Sequence, residues 1–247
     1  MQASNKSGAA THQVRGREEC ERLANEVLDG ALGQTVRCTP MRCTTMFPVA
    51  SEVWFGKLRH GGMRAATAEW RWLHELPAIG LTVPEPLAFV RRGRRSVLVT
   101  NAVNGRPLDA VIAEAMARGE GAAIADFACK VVAVAVAALH ASGLVYRDLY
   151  WNHLFVDQLG PSAHLVFLDV ERVFAPRLCR RRWLVKDLAG LASSYPGPLS
   201  PKSAMRFLCA YLGARGDGPN GRALLRRLFV QVRAKAMRIR AHVPKYG

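Results

Sequence analysis

The order of strand-like and helix-like segments constrains the fold of this chain more than any other feature of its sequence. Runs rich in β-branched and aromatic residues dominate residues 35–103, whereas apolar residues at helical intervals dominate the chain beyond Gly105. Strands and helices that are segregated along a chain favour an α+β fold. The sequence therefore predicts a small, strand-rich lobe of residues 17–103 and a larger, mainly helical lobe of residues 104–247, with a cleft between them. Residues 1–16 are polar and are expected to be disordered.

Individual elements follow from the spacing of apolar residues and from the residues that end helices. Helices are predicted over residues 17–29, 63–76, 108–119, 122–141, 202–213 and 221–241. Strands are predicted over residues 44–50, 52–58, 86–92 and 96–103. Gly30 and Gly33 open a turn-rich stretch between the first helix and the first of these strands.

Neither the cysteines nor the apolar segments indicate secretion or a membrane span. The six cysteines lack paired CxxC spacing, which predicts reduced thiols in a cytoplasmic protein. The N-terminus has no continuous apolar run of the kind that a signal peptide needs. The most apolar segment, residues 131–145, is shorter than the roughly 20 residues of a bilayer span and is predicted to be a buried helix.

Positive charge is concentrated in the last third of the chain. Residues 171–247 contain 17 of the 35 lysines and arginines but only 3 of the 19 acidic residues. Such a field favours an anionic partner, which could be nucleic acid, an acidic membrane face or a phosphorylated or carboxylated substrate. No helix-turn-helix, RNP or zinc-finger spacing accompanies the charge, so a nucleic-acid partner is not expected.

Two aspartates, Asp148 and Asp169, give the clearest indication of chemistry. Each lies beside a short apolar run typical of a strand, in the segments GLVYRDLYWNHLFVD (143–157) and HLVFLDVERV (164–173). Phosphoryl transfer needs one carboxylate that accepts the proton of the attacking hydroxyl and another that holds the magnesium bridging the phosphates. Two aspartates on adjacent loops meet this requirement.

These segments resemble the protein-kinase signatures and, more specifically, the lipopolysaccharide kinase family, often called the WaaP or InaA-like family. YRDLYWNHLF is similar to the H-R-D-x-Y-x-x-H loop of that family, and the segment from Asp169 to Arg172 is similar to its second aspartate motif. The resemblance extends from about Trp54 to Leu212. It implies a bilobal, protein-kinase-like fold and an ATP- and Mg²⁺-dependent kinase of a sugar hydroxyl, with a heptose of the lipopolysaccharide inner core as the leading acceptor.

The resemblance also implies roles for individual residues. Asp148 matches the catalytic base, Lys57 the lysine that grips the α- and β-phosphates, and Glu69 the helix carboxylate that holds this lysine. Glu75 is a weaker alternative because it lies six residues after Glu69 and hence on another helical face. Asp187 matches a structural aspartate beneath the catalytic loop.

The metal site implied by the resemblance is centred on Asp169. Protein kinases carry a metal-binding asparagine five positions after the base, where this chain has His153, with Asn152 one place earlier. Magnesium prefers oxygen ligands, so Asn152 could bind it instead and His153 could be a core histidine. Both residues therefore stay candidates.

The nucleotide is expected to lie between a hinge and a phosphate-covering loop. The hinge is predicted at Asn101 to Val103, where backbone groups would meet adenine. No G-x-G-x-x-G precedes Lys57, and only Gly30 and Gly33 stand near the expected place of the covering loop. The position of that loop is left open.

A basic cluster lies between Asp169 and Asp187, where kinases bind the acceptor. Its members are Arg172, Arg177, Arg180, Arg181 and Arg182. The cluster is expected to face an anionic glycolipid or oligosaccharide, in a cytoplasmic enzyme associated peripherally with the inner membrane. Only 17 residues separate the two aspartates and they contain no A-P-E, which leaves little room for a peptide-docking platform.

Two other functions are compatible with the same signatures. An aminoglycoside-type phosphotransferase would use the same phosphate chemistry, but its cationic acceptors would be repelled by the basic C-terminal third. A pseudokinase that binds nucleotide without turnover is motivated by the missing glycine loop and by His153.

Overall fold

The computed structural model describes residues 16–160, 162–216 and 221–242. The N-terminal elements are α1 (Arg17–Asp29), β1 (Gln34–Thr39), β2 (Arg42–Val49), β3 (Glu52–His60), α2 (Met63–Glu75), a 3₁₀ helix (Leu76–Ile79), β4 (Pro86–Arg92) and β5 (Arg95–Asn101). The C-terminal elements are β6 (Arg106–Pro107), α3 (Leu108–Ala117), α4 (Gly121–Phe127), a π-helical segment (Ala128–Val132), α5 (Ala133–Ala141), β7 (Leu154–Val156), β8 (Leu165–Phe167), α6 (Arg180–Ser194), α7 (Pro201–Ala214) and α8 (Gly221–Ala241), with 3₁₀ helices at Trp151–His153 and Val170–Arg172. This order confirms the predicted α+β class, whereas the predicted disorder of residues 1–16 falls almost entirely outside the described residues.

The N-terminal region is an antiparallel sheet of five strands in the order β1-β2-β3-β5-β4. Strand β3 lies at its centre and pairs with β2 and β5. The apolar stripe of α1, which includes Leu23, Val27 and Leu28, packs against Phe47 and Trp54 on one face of this sheet. Helix α1 ends at Gly30, whose left-handed backbone lets its amide donate to the carbonyls of the last turn. The sheet thereby becomes a rigid support for the residues of β3.

Strand β1 is an element that the sequence did not predict. All six of its residues are exposed, and β1 is one of the two edge strands of the sheet. Strand prediction depends on the alternation of buried and exposed residues, and an edge strand with neither face buried lacks this pattern.

The structure also corrects the prediction for one pair of cysteines. Cys38 on β1 and Cys43 on β2 are cross-strand partners and are joined as a disulfide. The prediction of six reduced thiols is therefore wrong for this pair, because hairpin register places opposite each other two cysteines whose spacing alone indicates no pairing. Cys20, Cys129, Cys179 and Cys209 are free thiols.

The core of the C-terminal region is built on the run from Gly121 to Ala141, where α4 and α5 are joined through the π-helical segment. By length and composition this 21-residue run is the one helix among the described residues that could cross a membrane, with 39% of its most apolar window buried. This helical run is longer than the apolar segment 131–145, which by its sequence is too short to span a bilayer. Its residues Val132, Val136 and Leu139 are fully buried in the core, in agreement with the predicted buried helix.

Two glycines allow the close backbone approaches that position the candidate site. A Cβ on Gly190 of α6 would lie 2.4 Å from the carbonyl oxygen of Leu149, in the loop that follows α5. A Cβ on Gly105, where the chain passes between the two regions, would lie 2.5 Å from the carbonyl oxygen of Val156, and its φ of +120° also favours glycine. A side chain at either position would push this loop or β7 away from its neighbour.

Candidate active site

Lys57 is the centre of the candidate site. It lies on β3, and its Nζ is 2.5 Å from Oε1 of Glu69 on α2 and 2.5 Å from Oδ1 of Asp169 on the loop after β8. Burial would lower the pKa of Lys57, but the two carboxylates outweigh it and the pKa is raised. The lysine is therefore held as a cation. The structure brings together the three residues that the sequence singled out, while the alternative Glu75 pairs with Arg71 on the exposed side of α2.

Arg59 is a second cation at this site, and sequence reasoning missed it. Its Nη2 donates to Oε2 of Glu69 at 3.2 Å and also contacts Oε2 of Glu171. Glu69 is thus shared between Lys57 and Arg59, and Arg59 links α2 to the segment that follows Asp169. The two-residue repeat of a strand, which places residues 57 and 59 on one face of β3, is the signal that could have found it.

Asp169 occupies a backbone conformation that few residues other than glycine adopt. Its φ is +54° and its ψ is +50°, in the left-handed region between β8 and the 3₁₀ helix Val170–Arg172. Such strain persists only where the surroundings hold it, and it is concentrated at functional sites. Burial opposes ionisation of Asp169, but Lys57 and, to a smaller extent, Arg42 lower its pKa to about 2. The side chain is an anion at neutral pH.

A buried aspartate fixes the loop that carries Asp148. Asp187 on α6 is fully buried, and its carboxylate accepts the backbone amides of Tyr146 at 2.6 Å and Arg147 at 2.8 Å. His140 also contacts Asp187 at 3.2 Å. The hydroxyl of Tyr146 donates to the carbonyl of Leu168, so the loop is tied directly to the residue before Asp169. This geometry is the one that the family resemblance implied for Asp187.

Asp148 is held by one cation, Arg172, and a second cation, Lys186, lies nearby. Nη1 of Arg172 lies 2.9 Å and 2.8 Å from the two carboxylate oxygens of Asp148. Nζ of Lys186 donates to the neighbouring carbonyl of Arg147 at 2.6 Å. Burial lowers the pKa of Lys186, although the nearby Asp148 acts in the opposite direction. Asp148 therefore forms an ion pair with Arg172 at the end of a loop that Lys186 also contacts.

His153 lies close to both aspartates, whereas Asn152 is exposed in the same 3₁₀ helix. Nδ1 of His153 is 2.8 Å from the carbonyl oxygen of Asp148, an acceptor, so Nδ1 carries the proton and the lone pair is left on Nε2. His153 also lies close enough to Asp169 to influence it electrostatically. His153 therefore orders the catalytic loop and also borders the candidate metal position.

Two backbone amides of the predicted hinge form hydrogen bonds within the N-terminal region. The amide of Asn101 donates to the carbonyl of Glu85 at 3.0 Å, and the amide of Ala102 donates to the carbonyl of Val53 and to the side chain of Asn101, each at 2.9 Å. Asn101 thus shapes the hinge through its own side chain. Contact of Asn101 or Val103 with adenine stays a prediction.

The five arginines predicted to face the acceptor do not lie together. Arg172 is the one among them that contacts Asp148. Arg180 donates to the carbonyl of His140, Arg181 contacts Gln231 of α8 at 3.2 Å, and Arg182 lies 5.6 Å from the ring centre of Trp183. Arg177 is exposed. Because residues 180–182 begin α6, consecutive side chains point in different directions around the helix.

We expect Lys57 and Glu69 to act as one unit. Lys57→Ala should lower phosphoryl transfer by about 10²-fold or more, since it removes the cation that the family resemblance implies to bind the phosphates. Glu69→Ala should act through the same lysine, so the double variant should be scarcely worse than the worse single variant. Steady-state kinetics measure these losses, and Glu75→Ala is the matched control on the exposed side of α2. Independent, additive losses would contradict the pairing.

The fold and this constellation define a phosphotransferase of the protein-kinase-like class. Residues 45–211 match the model of the lipopolysaccharide kinase (Kdo/WaaP) family, which covers more than half of the chain. The chain belongs to this family, as its sequence motifs predicted. A search of curated proteins gives no match.

Two solved structures illustrate the relationship. A structure described as WaaP in complex with acyl carrier protein is similar with a TM-score of 0.72 and 24% identity, over 89% of this chain and 95% of that one. An aminoglycoside-3'-phosphotransferase of type VIII is similar with a TM-score of 0.51 and 19% identity, over 85% of this chain and 97% of that one. The family match makes the chain a lipopolysaccharide kinase, a phosphotransferase that acts on a sugar hydroxyl, and favours neither alternative function. The two structural similarities show the kinase-like fold.

Proposed function

We propose that this kinase transfers the γ-phosphate of ATP to a heptose hydroxyl of the lipopolysaccharide inner core. The observation that carries this proposal is the convergence of Lys57, Glu69 and Asp169 in one hydrogen-bonded cluster, with Asp148 tied to the same loops. Phosphoryl transfer depends mainly on positioning and on neutralising phosphate charge, and these residue types supply both.

Residues 17–103 would form the nucleotide-binding lobe, and residues 104–247 would carry the catalytic loop and bind the acceptor. The backbone from Asn101 to Val103 would meet adenine, and Lys57 would bind the α- and β-phosphates. Glu69 would keep the lysine in place. Asp148 would orient the acceptor hydroxyl and accept its proton.

The residues around Asp169 fit a magnesium ion. Asp169 is an ionised carboxylate with a pKa of about 2, and hard oxygen donors of this kind suit Mg²⁺. Asn152 offers a further oxygen, whereas His153 offers a nitrogen that Mg²⁺ binds less readily. When bound, magnesium would neutralise charge on the phosphates. Lys57, which contacts Asp169 directly, would then turn toward the phosphates.

The acceptor is proposed to be an anionic glycolipid at the cytoplasmic face of the inner membrane. Exposed arginines of α8 would favour an anionic surface and peripheral association with it. They are Arg222, Arg226, Arg227, Arg233, Arg238 and Arg240. The basic charge distribution, which the sequence already shows, supports this location.

An acyl carrier protein is proposed as a further partner. The similar WaaP structure is described as a complex with one. In this chain, an apolar cavity of about 480 Å³ lies among α4, α6, α7 and α8, with Trp151 and Phe229 in its wall and Arg240 beside them. An acyl chain is apolar and would suit this lining. Titration with acylated and unacylated carrier protein would test it, and equal absence of binding would exclude the partner.

The decisive experiment measures ATP turnover with three acceptors: dephosphorylated lipopolysaccharide core, an aminoglycoside and water. Turnover that depends on the core oligosaccharide is expected, with phosphate recovered on heptose by mass spectrometry. Phosphorylation of the aminoglycoside alone would overturn the acceptor assignment. Binding of ATP without turnover under any condition would indicate a pseudokinase.

We expect Arg172 to contribute more to acceptor binding than Arg180 or Arg181 do. A guanidinium has five N–H donors, so Arg172 can hold Asp148 and an anionic group of the acceptor at once. Arg172→Ala should therefore raise the KM for anionic core oligosaccharide and lower kcat, with little effect on the KM for ATP.

Matched variants test whether Arg172 alone or the whole arginine cluster binds the acceptor. Arg180→Ala/Arg181→Ala should change the acceptor KM much less, because these side chains contact His140 and Gln231 and not Asp148. Arg91→Ala, on the outer strand β4, serves as the exposed control. An equal rise in KM for the double variant would restore the sequence-based prediction that the whole cluster faces the acceptor.

A further inference from the structure

The turn between β1 and β2 lies at the place where a phosphate-covering loop would be needed. In protein kinases a glycine-rich loop covers the phosphates and the catalytic lysine follows on the third strand. Here Lys57 also lies on the third strand, β3, and its cross-strand neighbour on β2 is Thr44. The turn that precedes β2 runs from Thr39 through Pro40 and Met41 to Arg42, and it contains no glycine.

This turn is poorly suited to hold phosphates with its backbone. Pro40 has no N–H group, and the amide of Arg42 donates to the side-chain oxygen of Thr39 at 3.1 Å. The carbonyl of Met41 accepts the amide of His60 at 3.0 Å. A glycine-rich loop binds phosphate through free amides in conformations that glycine permits. In this turn the amide of Arg42 and the carbonyl of Met41 are already hydrogen-bonded, to Thr39 and to β3 respectively.

The side chain of Arg42 extends from this turn to the metal aspartate. Its Nη1 lies 4.0 Å from Oδ1 of Asp169 and 3.7 Å from Oε2 of Glu171. Oδ1 of Asp169 is the same atom that Lys57 contacts at 2.5 Å, so both cations converge on one oxygen. Distances of 3.7 and 4.0 Å exceed hydrogen-bond length, and a partly exposed pair of this kind is weak. The guanidinium is near the site without being bonded firmly to it.

We propose that Arg42 binds the phosphates of the nucleotide and supplies the charge that the missing glycine loop does not. This inference rests on the proposed function, because it assumes that a nucleotide occupies the site around Lys57 and Asp169. An arginine fork matches phosphate oxygens by charge and by geometry. Magnesium and Lys57 would act from the side of Asp169, and Arg42 would close the site from the side of the β1–β2 turn. The disulfide between Cys38 and Cys43 lies directly behind this turn and holds its two strands together.

Nucleotide affinity measured by calorimetry tests the proposal. The ligands are a non-hydrolysable magnesium–ATP analogue, magnesium–ADP and adenosine, and the proteins are the wild type, Arg42→Ala, Arg42→Lys and the control Arg91→Ala. Arg42→Ala should bind both phosphorylated ligands about 10-fold more weakly or worse, as expected for loss of a charged hydrogen bond, and should bind adenosine as the wild type does. Arg42→Lys should recover part of the loss, and Arg91→Ala should match the wild type.

The possible failures are distinguishable. A wild-type protein that binds none of the phosphorylated ligands would overturn the proposed function together with this inference. Wild-type binding combined with an unchanged ratio of ATP to adenosine affinity in Arg42→Ala would overturn the inference alone. Tighter ATP binding by Arg42→Ala would show instead that Arg42 blocks Asp169. Thermal unfolding checks the fold of each variant, and Arg42→Lys provides the same comparison if the alanine variant is unstable.

Discussion

Asp169→Asn should abolish measurable phosphoryl transfer and greatly weaken magnesium-dependent nucleotide binding. The substitution keeps the shape of the side chain and removes the charge that a metal ion needs. Loss of several kcal/mol of metal-assisted charge stabilisation corresponds to a rate reduction of roughly 10³-fold or more. Nucleotide titrations with and without magnesium measure the effect, alongside turnover with the core oligosaccharide.

A matched control for this variant lies in the turn between β7 and β8. Asp157→Asn makes the same chemical change at an aspartate that contacts His164, outside the cluster around Lys57. It should leave turnover and magnesium dependence unchanged. If Asp169→Asn kept the wild-type response to magnesium, the metal would have to lie elsewhere and the assignment of Asp169 would be wrong.

Asp148→Ala should lower kcat by about 10²- to 10⁴-fold while nucleotide affinity stays close to that of the wild type. The reason for the contrast with Asp169 is that the proposed base acts on the acceptor hydroxyl and not on the metal or the phosphates. The loop should keep its position, because Asp187 holds it through the amides of Tyr146 and Arg147. Single-turnover kinetics with bound nucleotide separate the chemical step from binding.

A second variant, Asp148→Asn, tests whether Asp148 acts as a base or only positions Arg172. Removing the carboxylate releases Arg172, which contacts both of its oxygens. Asp148→Asn retains a hydrogen-bonding group for that arginine, so it separates loss of the base from disturbance of Arg172. Both variants should lose turnover to a similar extent. Full activity in the asparagine variant would show that Asp148 serves to position Arg172 and not to accept a proton.

Each helix and strand that the sequence predicts is present in the structure with nearly the same bounds. Helix α1 matches its predicted bounds because its apolar residues recur at helical spacing and Gly30 ends it. The sequence did not predict strand β1, because both faces of the strand are exposed and its residues show no buried–exposed alternation. Helix α6 (Arg180–Ser194) was not predicted at all, although its buried residues Leu184, Leu188 and Leu191 recur at helical spacing.

The sequence by itself determined the α+β class and the family, and it singled out Lys57, Glu69, Asp148 and Asp169 as candidate site residues. Phosphoryl transfer demands these residue types, and strand and helix periods set the faces on which Lys57 and Glu69 meet. These constraints are local or tied to a motif, so they can be read along the chain.

Only the tertiary structure decided which of the other charged groups join them. Arg59 and Glu171 meet across 112 residues, Arg42 reaches Asp169 from a turn that carries no motif, and Arg172 rather than Arg180 meets Asp148. The pairing of Cys38 with Cys43 likewise required the register of two strands. Contacts of this kind depend on how the sheet packs against the C-terminal region. A side-chain period reports the face that a residue occupies, but it does not report what packs opposite that face.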